Sequence, residues 1–152
     1  MHMLGSDFGS RWDVEFTFEP SEKIRDVLLS AFARVSRDTL RFDGMRKFDP
    51  GLWRIDLRPE VVPVPGLVCT IVVGGVPYQG FGISSNVNDA ATTVEIASYF
   101  QDFDEWLQWP LLPDGRHLTP RRSGGQAVWG RHRDEVVAPI GELTDYIDNH
   151  QP

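Results

Sequence analysis

Six apolar residues, Ile24, Val27, Leu28, Ala31, Phe32 and Val35, follow one another at helical spacing, each three or four positions from a neighbour on the same side. Only an α-helix gathers such a series into one continuous stripe, and a stripe of that width has to be buried against something else. Ser21 offers a hydroxyl for the N-cap, and Glu22 puts an acid in the first turn, where the helix dipole favours it. Lys23, Arg25, Asp26, Arg34 and Arg37 fall off the stripe and read as solvent-facing. The spacing predicts a helix over about 21–40, ending near Thr39 or Leu40 ahead of Asp43-Gly44.

Strand patterns supply the surface that such a helix needs. Trp12, Val14, Phe16 and Phe18 alternate with Asp13, Glu15 and Thr17, and Trp53, Ile55 and Leu57 alternate with Arg54, Asp56 and Arg58. Residues 67–73 form an apolar run rich in β-branched side chains, and Gly74-Gly75 predicts a hairpin turn into a strand over 78–83, with Pro77 limiting its start. A polar loop from Ser84 to Asp89 and a further strand over 92–97 follow in this reading. A second helix is expected over about 99–109, with Phe100, Phe103, Trp106 and Leu107 on one face and Pro110 as its stop. Residues 111–126 read as a long loop, 127–129 and 135–138 as a short hairpin, and 141–149 as a last short helix.

The expected architecture is α+β: an antiparallel sheet of about four to five strands, two helices packed on it and a small C-terminal hairpin appendage. Alternation of strand and helix in the βαβαβ manner is missing, which disfavours a parallel doubly wound sheet. At 152 residues and 41% hydrophobic content, one domain with one core is expected. Residues 1–10 read as a disordered N-terminus or cloning remnant, 11–110 as the α+β core, and 111–152 as loop, hairpin and short helix on the same domain.

No apolar run approaches the roughly 20 residues needed to span a bilayer, and the first residues lack the basic-then-apolar order of a secretory signal. Cys69 is the only cysteine, so no intrachain disulfide can form, and a reducing, cytoplasmic setting is the expectation. Its place within an apolar strand makes Cys69 a small core residue. A net charge of -7 argues against nucleic-acid binding by the surface as a whole, because phosphate neutralisation dominates that affinity.

Catalytic groupings do not emerge from the spacing. Gly74-Gly75 and Gly80-Phe81-Gly82 lie in strand contexts with no helix opening after them, unlike a phosphate-binding loop. Ser84-Ser85 follows Gly82 and Ile83 but completes no Gly-x-Ser-x-Gly nucleophile elbow, and nothing in the sequence sets His117 or His132 beside a serine. Asp102, Asp104 and Glu105, like Asp145 and Asp148, read as solvated helix faces rather than a carboxylate pair across a cleft. Two histidines fifteen positions apart with no nearby cysteine fall short of the four ligands of structural zinc, so neither metal nor cofactor is expected.

The last third carries a further pattern: Trp106-Leu107-Gln108-Trp109-Pro110, then His117 and Pro120, then Ala127-Val128-Trp129, then Ala138-Pro139-Ile140-Gly141-Glu142-Leu143. It resembles a metal-ligand-bearing tail of uncharacterised actinobacterial proteins, one that looks like a small zinc-ribbon-like knob. Leu112 and Arg131 stand where that tail has cysteines, and Gly115 stands near a histidine position, while His117 matches. The resemblance implies a relative that keeps the hairpin without the metal. It brings no activity with it.

One stretch stands apart in charge. From Leu111 to Arg133 the chain carries Arg116, Arg121, Arg122, Arg131 and Arg133 against Asp114 alone, a local 5 - 1 = +4 that leaves -7 - 4 = -11 elsewhere. These five arginines are the candidate partner-binding residues, for an acidic protein surface, a phosphate group or RNA. The competing reading, which charge runs favour, is that they pair with the chain's own acidic surface or simply solvate a loop. Nucleic acid is disfavoured, since stacking aromatics are not interleaved with them. The leading reading is a non-catalytic binding or interaction domain, leaning away from an enzyme. One alternative is a small-molecule enzyme with ligand-binding residues Ser85, Asp89, His117 and His132, its site assembled from the 84–89 loop and one of the histidines. The other is a structural or assembly protein that exposes Trp106, Trp109 or Trp129. No pattern identifies an oligomer interface.

Overall fold

The hydroxyl of Ser21 does cap the first helix, accepting the Ile24 N–H at 3.2 Å. In the computed structural model, which describes residues 13–38, 53–60, 66–73, 75–84, 86–101, 110, 112, 114–115, 117–131 and 135–149, this helix is α1 (Glu22–Arg37), closed by Asp38 as C-cap. It ends slightly earlier than the spacing predicts. Burial also spreads beyond the stripe to Leu29, Ala33 and Ser36, so α1 is enclosed along two flanks rather than laid on one surface.

The strand β1 (Asp13–Phe16) precedes α1, and β2 (Trp53–Glu60) follows it. They pair in parallel, Val14 beside Ile55 and Phe16 beside Leu57, so β1, α1 and β2 form a crossover unit. This corrects the all-antiparallel expectation at one edge: a strand that returns through a helix to its neighbour arrives in the same direction. The rest of the sheet is antiparallel, with β3 (Gly66–Val73) and β4 (Val76–Ser84) giving the order β1-β2-β3-β4. The β3–β4 hairpin closes with Val73 opposite Val76, two residues before the expected start. Pro77 falls inside β4, which is tolerable because β4 pairs only with β3 among the described residues. One face of this sheet carries Ile55, Leu57, Leu67, Cys69, Ile71, Phe81 and Ile83 into the core.

Two segments differ in kind from the sequence reading. Residues 92–97, expected as a strand, and the start of the preceding loop's last residue onward lie in a helix, α2 (Asp89–Gln101). Thr92, Val94 and Ile96 mimic a period of two, but the buried positions Ala90, Thr93, Ala97 and Phe100 recur every three or four. Asn88 is the start signal: its Oδ1 accepts the Ala91 N–H while Thr92 Oγ1 accepts the Asn88 N–H, both at 3.0 Å. The helix expected over 99–109 therefore begins ten residues earlier, and residues 102–109 lie outside the described residues.

Within the expected loop 111–126 lies β5 (Thr119–Ser123), which pairs with β6 (Gln126–Arg131), itself paired with β7 (Glu135–Pro139). The appendage is thus a three-stranded sheet in the order β5-β6-β7. Pro120 disguised β5. Its register opposite Trp129, three residues from the tight Gly124-Gly125 turn, is a position whose nitrogen points away from β6, so the missing N–H costs no ladder bond. The short helix α3 (Leu143–Asn149) is the last described element and lies within the expected 141–149.

A single core joins both sheets and all three helices, with Phe32, Phe100 and Trp129 as its largest fully buried side chains. Phe100 meets Phe32 and Phe81 edge-on at 6.3 and 6.1 Å between ring centroids, which ties α2 to α1 and to β4. Emptying the Phe32 position to alanine should cost about 3–5 kcal/mol. Among the described residues no helix is long and apolar enough to cross a membrane.

Candidate functional site

Of the five arginines in the basic arm, Arg116 and Arg133 lie outside the described residues. The other three occupy β5 and β6 and do different work. The guanidinium of Arg121 lies flat over Gly130, where any Cβ would overlap it, and donates to the Glu135 carbonyl of β7. Arg131 pairs with Glu135 four residues on, Nη2 to Oε1 at 2.7 Å, and with Asp114 at 3.9 Å. Both side chains thereby clamp the three-stranded sheet across its own strands. Arg122 is exposed and has no ion pair among the described residues.

Arg122 opens a run of five exposed residues, Arg122 to Gln126, at the end of the β5–β6 hairpin. Gly124 and Gly125 both hold positive φ, 58° and 77°, as a two-residue hairpin turn demands. At its base the hairpin is fixed by Pro120, Ala127, Val128 and Trp129, all buried. The tip is therefore a short, polar, exposed turn on a buried base, with a cation on its flank.

The four residues considered as a ligand-binding group do not come together. Ser85 and His132 lie outside the described residues. Asp89, at the start of α2, receives both arms of the Arg34 guanidinium, Nη1 to Oδ2 and Nη2 to Oδ1, each at 3.0 Å. His117 is exposed near the other end of α2, its Nε2 lying 3.3 Å from Nε2 of Gln101, which also donates to the Leu118 carbonyl at 2.6 Å. The helix between Asp89 and Gln101 is roughly 18 Å long at 1.5 Å per residue. A site that joins Asp89 to His117 would have to span that length.

Trp129 lies at the centre of the core, whereas Trp106 and Trp109 are outside the described residues. Leu112 is buried in the same core. Burial also pushes the Cys69 thiol well above its ordinary range, with Asp56 adding to the effect, so the thiolate is suppressed.

The residue that sequence reasoning passed over is Asp38. Its carboxylate is wholly buried and accepts three N–H groups: Trp129 Nε1 and the Gly141 amide at 2.6 Å on Oδ2, and the Leu143 amide at 3.1 Å on Oδ1. Desolvation raises its pKa to about 6, outweighing these hydrogen bonds and the nearby Arg37 charge. A carboxyl that titrates near neutrality would suit acid–base work. Here both oxygens are occupied by the chain's own donors, so the group joins the end of α1 to β6 and to the start of α3. One signal was available in the sequence: an acid at a helix C-terminus opposes the dipole, which calls for another interaction to claim it.

A second shifted carboxyl is Glu95 on α2, raised by partial burial while the Ser84 N–H at the end of β4 lowers it. Among the described residues no group of three or more histidine, cysteine or acidic side chains is placed to hold a metal ion. No family model, no curated protein and no solved structure matches this chain, and its own residues are the basis for any functional reading.

Proposed function

We propose that the chain is a non-catalytic binding domain that presents Arg122, on the β5–β6 hairpin, to a carboxylate-bearing protein partner. The observation that carries this reading is the division among the arginines: Arg121 and Arg131 are committed to the sheet, while Arg122 stands exposed beside the projecting turn. A guanidinium held on a preorganised hairpin loses little freedom on meeting a planar carboxylate. The +4 arm set against -11 elsewhere also orients the molecule towards an acidic partner at this end. Separation of Asp89 from His117 supports binding over catalysis as the role of the described surface.

Capture from lysate of the native host with immobilised wild-type protein and Arg122→Glu tests it. An acidic partner retained by the wild type, released by moderate salt and lost from the variant is the expected result. The same partners on both proteins would remove Arg122 from the function.

A further inference from the structure

We draw no further inference here: the strongest candidate, the buried Asp38 carboxylate between the end of α1, β6 and the start of α3, has both oxygens taken by the chain's own Trp129, Gly141 and Leu143 N–H groups, so a switch built on it would rest on its raised pKa alone.

Discussion

The indole N–H of Trp129 donates to the carboxylate of Asp38 at 2.6 Å across 91 positions of sequence, joining the largest core side chain to the only carboxylate buried among the described residues. Trp129→Phe keeps most of the ring and deletes the donor. It should cost about 1–3 kcal/mol beyond the small change in apolar area, because a buried acceptor is left short of a partner. Urea denaturation of the two proteins measures it, and equal midpoints would show that the bond is dispensable.

Asp38 also gives stability a pH dependence of unusual sign. Its pKa is raised from 3.8 to about 6 in the folded protein, so between those values the folded state binds the proton that the unfolded chain has released. Its contribution is therefore greatest below about pH 4 and is lost as pH rises through about 6, with a full span on the order of 3 kcal/mol. Relative to Asp38→Asn, the wild type should gain stability on acidification across this window. Parallel stability–pH curves for the two proteins would refute the assignment.

Gly141 holds φ at 104°, and a Cβ there would press on Arg34 Cβ and Cγ at 3.0 and 3.1 Å and on Arg37 Nη2 at 3.1 Å. Gly141→Ala combines backbone strain with a clash against α1 and should cost about 1–3 kcal/mol. Gly124→Asn, at φ 58° with nothing within 4 Å, should change stability by only a few tenths of a kcal/mol. Thermal melts that rank the two variants the other way would contradict this account of the α1–α3 contact.

Arg121 and Arg122 are neighbours with opposite roles. Charge reversal at Arg121 should lower Tm by several degrees, since the side chain packs on Gly130 and bonds to β7. The same change at Arg122 should leave stability within about 0.5 kcal/mol. Equal losses of Tm would mean that Arg122 is also structural.

The Arg34–Asp89 pair is bidentate but partly exposed, with side-chain exposures of 28% and 58%. A double-mutant cycle should return a coupling of about 1 kcal/mol or less, shrinking in high salt. A salt-independent coupling well above that would point to a larger role in docking α1 on α2.

Elements whose apolar period matches one kind of structure were legible from the residues alone. The stripe from Ile24 to Val35 with its Ser21 cap, and the strands through Ile55 and Leu57 and through Cys69 and Ile71, required no tertiary information. Thr92, Val94 and Ile96 fit two periods at once, and the deciding cue was the Asn88–Thr92 cap rather than the apolar pattern. Pro120 and two adjacent arginines concealed β5 because the direction of a proline nitrogen is set by its register with β6. For the candidate site, the arm was recognisable from charge, but which arginine faces outward depends on contacts with Gly130, Asp114 and Glu135. Asp38 was hidden for the same reason: its three donors lie 91, 103 and 105 positions away.

That distance bears on how the protein is made. When α1 leaves the ribosome, the donors that will surround the Asp38 carboxylate have not yet been synthesised, and water must solvate it for roughly ninety further residues. The end of α1 can reach its native state only after β6 and the start of α3 have followed, at several to some tens of residues per second. Folding intermediates released before that point would keep a hydrated carboxylate where the finished protein has its core, which favours a late, concerted closure of the two sheets over stepwise assembly from the N-terminus.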